Sequence, residues 1–295
     1  MSFRIFTDTS SNLPMRLLVE ENIPLIPFSF YPQNDSGALK QVTDIEAFDG
    51  KAYYDSIRNG ILYNTSQIAP QAIFDALAPA AEAGEDCLFI SMSSGISGSF
   101  NSSEIAMTML REQYPERRFF TLDTKAASLG EGIAVLKAVE YRRAGLSVEE
   151  TFRKLTELVP HICQVFTVAD LGHLCRTGRL SNAARILGTV LNIRPILKGN
   201  ENGQIVNTEK VRGSKKAIKR LAEIYDELVE NPGEQTVCIA HADNDEDTAY
   251  LVRLLNENKP PKEILTVCYE PVTGAHVGPG TVALFFLGGA DVRMK

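Results

Sequence analysis

No apolar run in this chain approaches the roughly 20 residues needed to cross a bilayer. Its first residues, Met-Ser-Phe-Arg-Ile-Phe-Thr-Asp8, read as a strand and lack the basic-then-apolar layout of a secretory leader. Cysteine is sparse and scattered: Cys87, Cys163, Cys175, Cys238 and Cys268 are odd in number, far apart, and include no C-x-x-C pair. That pattern excludes a disulfide scaffold and suits reduced thiols, mostly small core hydrophobes, in a cytoplasmic protein. Cys175 stands apart because it sits in a polar stretch beside Arg176. Positive charge is also short, with 30 Lys and Arg against 37 Asp and Glu and a net charge of −7. The basic residues are dispersed, which argues against a nucleic-acid partner. The one basic cluster, Lys210 to Arg220, alternates with apolar residues and reads as a solvated helix face. Internal repeats and low-complexity segments are absent as well.

What is present is ordinary globular material: 295 residues, 44% hydrophobic and 23% charged. That length is about twice the usual domain, so two domains are expected, residues 1–160 and 161–295. The first half alternates strand and helix signals. Strands are expected at Phe3–Phe6, Ile23–Phe30 (irregular, with Pro24 and Pro27), Leu88–Met92 and Arg118–Leu122. Helices are expected at Leu13–Glu21, Ile45–Asn59, Pro70–Gly84, Glu104–Gln113 and Gly132–Ala144. Strands joined by helical crossovers imply an α/β domain with a mostly parallel sheet flanked by helices, and ligands at the carboxyl ends of the strands. After a helix at Ser147–Val159, the second half reads as a layered α+β domain. Its strands are expected at Gln164–Val168, Ile193–Lys198, Gln204–Lys210, Thr236–His241 and Glu263–Glu270. Its helices are expected at Asp170–Cys175 (one turn), Ser181–Leu187, Ser214–Glu230 and Asp245–Asn256.

The most informative stretch is Ser93-Ser-Gly-Ile-Ser-Gly-Ser-Phe-Asn-Ser-Ser103, directly after the buried strand, with six serines in eleven residues. A strand, a hydroxyl-rich turn and a helix start form an anion receptor, because the first-turn N–H groups and the helix dipole face the turn. Ser93, Ser94, Ser97 and Ser99 add donors without adding charge. The plainer alternative is that one serine caps the helix and the others fill the turn.

Several segments together resemble the DegV family of bacterial fatty-acid-binding proteins, over essentially the whole chain. They are Thr7-Asp-Thr-Ser-Ser-Asn-Leu13, Asn64-Thr-Ser-Gln67, Ser93 to Phe100, Leu122-Asp-Thr124, Leu174-Cys-Arg-Thr-Gly-Arg-Leu-Ser181, Arg194-Pro-Ile-Leu197 and His276-Val-Gly-Pro-Gly280. The resemblance implies a carrier, not an enzyme, with no cofactor. Such a carrier holds one long-chain fatty acid in a tunnel between its domains and presents the carboxylate to a fatty-acid kinase, which makes an acyl phosphate for phospholipid synthesis. It further implies that Thr65, Ser97 and Ser94 hydrogen-bond the carboxylate and that His276 approaches it. Arg179 and Arg176 would face the kinase or a phosphate. Thr177 stands where the family commonly has a second glycine, Ile68-Ala69 where it has Pro-Ser, and Arg194 where lysine is frequent.

Two other readings rest on residues alone. A serine hydrolase or acyltransferase would use Ser97 as nucleophile and His276 as base. Gly95-Ile-Ser-Gly-Ser99 begins like G-x-S-x-G but has serine in the fifth place, so the elbow pattern fails. A metal site at His241-Ala-Asp-Asn-Asp-Glu-Asp247 competes with the start of a helix, where acids favour the dipole. Asp8 and Asp123, each near a strand end, read as turn caps.

Overall fold

The computed structural model describes residues 3–180 and 192–294. The helix expected at 181–187 lies outside the described residues. The chain forms two compact units, Met1–Phe48 with Tyr63–Val159, and Asp49–Leu62 with Pro160–Lys295. Beside the single division expected at 160/161, segment 49–62 therefore groups with the second unit.

In chain order, the described elements begin with β1 (Phe3–Asp8), α1 (Met15–Glu20), β2 (Leu25–Ile26), β3 (Ser29–Pro32), α2 (Gly50–Arg58), β4 (Tyr63–Ser66) and α3 (Pro70–Glu82). There follow β5 (Asp86–Ser91), α4 (Ser99–Gln113), β6 (Phe119–Asp123), α5 (Leu129–Arg143), α6 (Val148–Leu158), β7 (Ile162–Thr167) and α7 (Gly172–Arg176). The rest are β8 (Ile193–Gly199), β9 (Ile205–Arg212), α8 (Ser214–Leu228), β10 (Thr236–His241), α9 (Asp245–Asn258), β11 (Glu263–Cys268), α10 (Pro271–Val277) and β12 (Val282–Leu287).

The first unit holds a four-stranded parallel sheet in the order β2-β1-β5-β6, with β3 and β4 paired as a separate antiparallel ribbon. Every residue of β5 from Cys87 to Ser91 is buried. A strand buried along its whole length is covered on both faces, the signature of a parallel α/β sheet. The covering layers are two helix pairs, α3 with α4 and α5 with α6. Ile73 and Leu77 of α3, Met107 and Leu110 of α4, and Val135 and Ala138 of α5 are fully buried. The helix α6 starts where its sequence says it should. Ser147 Oγ accepts from Glu150 N–H at 3.2 Å while the Glu150 carboxylate accepts from Ser147 N–H at 2.8 Å, a reciprocal capping box.

The second unit is a six-stranded mixed sheet, β11-β10-β12-β7-β8-β9, parallel only between β10 and β11. The helices α8 and α9 pack together against it. Leu221, Tyr225, Leu251, Leu255, Leu284 and Phe286 meet in its core. Two elements of this unit were not expected from sequence, β12 and α10. In the first unit β4 was not expected, and in the second α2 is shorter than the helix expected at 45–59.

Candidate functional site

The serine loop sits where a parallel sheet places its ligands, after β5 and before α4. Its fold follows from local hydrogen bonds. Ile96 and Ser97 N–H both donate to Ser93 O, at 3.3 and 3.2 Å, and Ser93 N–H donates to Ala126 O at 2.7 Å, fixing the loop to the end of β6. The N-cap position of α4 is Gly98, which has no side chain to cap it. The plainer alternative, a serine at the N-cap position itself, does not form; Ser97, one residue earlier, meets the first helical N–H instead. Ser97 Oγ accepts from Ser99 N–H at 3.2 Å and donates to Ser99 Oγ at 3.1 Å. Ser99 Oγ in turn accepts from Ile68 N–H at 3.3 Å. Gln67 lies so close to Gly98 that a Cβ there would stand 2.1 Å from its Oε1. These contacts bring the segment that follows Thr65 on β4 onto the start of α4. Thr65, Ser94 and Ser97 are each half-buried, open enough to meet a ligand and held by their surroundings.

Charge enters the loop from the neighbouring strand end. Asp123 Oδ1 accepts from Ser94 N–H at 3.1 Å and from Lys125 N–H at 3.0 Å, so Asp123 caps the turn as expected. Lys125 closes the cluster, its Nζ 2.7 Å from Asp123 Oδ2 and 2.9 Å from Ser94 Oγ. Lys125 was not singled out in the sequence; its φ of +52° and its neighbourhood are visible only in the fold. Positive φ at a non-glycine residue is a strained conformation that concentrates at functional sites.

The second unit gathers His276, Arg179 and Arg176. The helix α10 exists because Glu270, buried, accepts from Val272 N–H at 2.5 Å and Thr273 N–H at 2.6 Å, with Pro271 in the first turn. After α10 the chain turns at Gly278 (φ +74°), where a Cβ would fall 2.3 Å from the His173 ring, so α7 packs directly on this turn. Burial, with the Arg179 charge nearby, pushes the His276 imidazole down to about 3. A neutral imidazole is thus the species available near neutral pH, offering a hydrogen bond in place of a charge. Burial also lowers the pKa of Arg179, whose guanidinium donates to Thr177 O. Arg176 is exposed. Burial and the Asp170 charge raise the Cys175 thiol, with Arg176 opposing, so this cysteine is not an activated thiolate.

The chain matches the model of the DegV family, described as uncharacterised proteins, over residues 2–288. A DegV domain-containing protein from Clostridium perfringens is 36% identical over 97% of each chain. The chain belongs to the DegV family. The fatty-acid-binding DegV-family protein of Thermus thermophilus superposes with a TM-score of 0.87 at 28% identity, over 98% of this chain and 100% of that one. The fatty-acid-binding DegV-family protein of Streptococcus agalactiae gives 0.84 at 30% identity, over 98% and 99%.

Within this DegV chain the competing readings fare differently. The Ser97 hydroxyl donates within its own loop, to Ser99 Oγ. The residues weighed as a metal site start α9 instead. Asn244 accepts from Asp247 N–H at 3.4 Å as the helix cap, Asp247 accepts from Asn244 Nδ2 at 2.9 Å, and Asp243 pairs with Arg58. Among the described residues no cluster of three or more His, Cys, Asp or Glu could hold a metal ion. None of the described helices is long and apolar enough to cross a membrane.

Proposed function

We propose that this protein binds one long-chain fatty acid, with Thr65, Ser94 and Ser97 at the carboxylate, and presents that carboxylate to a fatty-acid kinase. The observation that carries the reading is whole-length similarity to DegV proteins that bind fatty acids, at 28% and 30% identity. The local chemistry agrees with it. A fatty-acid tail of roughly 14 methylenes gains about 0.8 kcal/mol each on burial, on the order of 11 kcal/mol before ordering costs. That gain is kept only when the carboxylate finds donors, since a buried unpaired carboxylate is expensive. The loop supplies hydroxyls beside the start of α4, whose N-cap position is Gly98. Neutral His276 suits a further hydrogen bond to the head group. Arg176, at the end of α7, and Arg179, on the turn after it, suit a phosphate or an acidic docking surface.

Titration of delipidated protein with a long-chain fatty acid tests this. Thr65→Ala and Ser97→Ala are expected to weaken binding by about tenfold or more, the size of one lost hydrogen bond to a charged group. Arg179→Ala is expected to leave affinity unchanged while slowing phosphorylation of the bound acid by the kinase. Unchanged affinity in both head-group variants would overturn the site assignment, and loss of affinity in Arg179→Ala would move that residue from the kinase to the lipid.

A further inference from the structure

Beneath the carboxyl ends of β1 and β5 lies a pair of acids that the proposed function does not use. Asp8 and Glu131 are both fully buried, and among the described residues no Lys, Arg or His hydrogen-bonds to either. Two hydroxyls join them. Ser10 Oγ stands 2.5 Å from Asp8 Oδ1 and 2.5 Å from Glu131 Oε2. Thr7 Oγ1 stands 2.8 Å from Glu131 Oε1 and 3.1 Å from Ile90 O.

Counting protons decides the state of the pair. A hydroxyl carries one proton and a carboxylate none. Ser10 cannot donate to two carboxylates at once, yet two bare oxygens at 2.5 Å repel unless a proton lies between them. One of its two contacts therefore takes its proton from a carboxyl group. Both acids receive backbone N–H groups, but Asp8 receives two, from Ser10 (2.8 Å to Oδ1) and Met92, and Glu131 one, from Asp8; the carboxyl with more backbone donors keeps the charge, so Asp8 is the acceptor. Glu131, touching both hydroxyls, is the donor. We infer that the pair holds one proton at neutral pH, on Glu131, and that neutral Glu131 is a positioning residue tying the carboxyl ends of β1 and β5 to α5. The chain of donors then closes: Glu131 to Ser10 Oγ, Ser10 to Asp8, and Thr7 to Glu131 Oε1 or Ile90 O.

The surroundings fit a junction built for close approach. The next residue, Gly132, brings α5 so near that a Cβ would fall 2.8 Å from Ser11 O. Asn12 and Ser128, on either side of the junction, hold φ of +57° and +54°, and Ser128 Oγ donates to Asn12 Oδ1 at 3.4 Å. Burial raises the pKa of both acids, and the Asp8 charge raises Glu131 further. Other charged side chains on the packed elements have their own partners. Arg4 of β1 pairs with Glu85, Asp86 of β5 accepts from Arg118 N–H, and on α5 Lys137 pairs with Glu140 while Arg142 and Arg143 pair with Glu21.

The sign of the pH dependence follows. With its folded pKa above the unfolded one, Glu131 makes folding take up a proton. Its penalty is absent below the ordinary glutamate pKa of about 4.3 and grows as pH rises towards the folded value. Glu131→Gln keeps the shape and supplies a permanent donor, so it removes that penalty. The test is thermal melting of wild type, Glu131→Gln and Glu131→Ala between pH 5 and 8. The melting temperature of Glu131→Gln minus that of wild type is expected to rise by about 5 °C or more across this range, while Glu131→Ala melts low throughout. A difference that stays constant or falls with pH overturns the inference. If Glu131→Gln does not fold, carboxyl NMR of glutamate-labelled wild type decides: one protonated glutamate at pH 7 supports the assignment, and none overturns it.

Discussion

At the scale of single residues, close approach explains why certain small side chains cannot grow. Gly274 on α10 faces Tyr54, whose hydroxyl donates to Tyr269 O at 3.0 Å, and an added Cβ would stand 2.2 Å from that hydroxyl oxygen. Tyr54 is fully buried within the second unit, so it has no room to yield. Gly274→Ala is expected to cost about 1–3 kcal/mol by overpacking, read as a lower denaturant midpoint. An unchanged midpoint would mean the ring can move aside. Residue-level features were unevenly legible in the sequence. The hydroxyls of Ser94 and Ser97 stand out because serine runs after an apolar strand have few uses, whereas Thr65 enters only through the family resemblance. Glu131 does not stand out, because an acid in the first turn of a helix is expected anyway; only the fold brings Asp8, more than a hundred residues away, against it. Lys125 escaped for the same reason.

At the scale of elements, strands and helices with strong periodicity or caps were readable within a few residues. Three elements were not. The helix α10, Pro-Val-Thr-Gly-Ala-His-Val277, is made of weak helix formers and depends on the Glu270 cap. The strand β4 is polar throughout and reads as a loop. The strand β12, Val-Ala-Leu-Phe-Phe-Leu287, is a short unbroken apolar run, which periodicity cannot assign. Yet β12 lies between β10 and β7 in the second sheet and pairs antiparallel with both. Its Phe286 is fully buried and meets Tyr225 edge-on, ring centres 5.2 Å apart. Phe286→Ala is expected to lower stability by about 3–5 kcal/mol in denaturant unfolding. A loss below about 1 kcal/mol would contradict the placement of β12 at the heart of this unit, since even partial collapse of such a cavity costs more.

At the scale of the whole chain, the residues proposed for function fall in two compact units. The first presents hydroxyls at the strand ends of a parallel sheet, the second a neutral histidine and two arginines around α7 and α10. The proposed fatty-acid binding rests on similarity to DegV-family proteins that bind fatty acids. Mass spectrometry of the purified chain, native and then denaturing, tests this without adding any lipid. One co-purifying long-chain fatty acid per protein, released on denaturation and depleted in Thr65→Ala and Ser97→Ala, is the expected result. A chain that emerges empty and binds no added fatty acid would contradict the carrier reading.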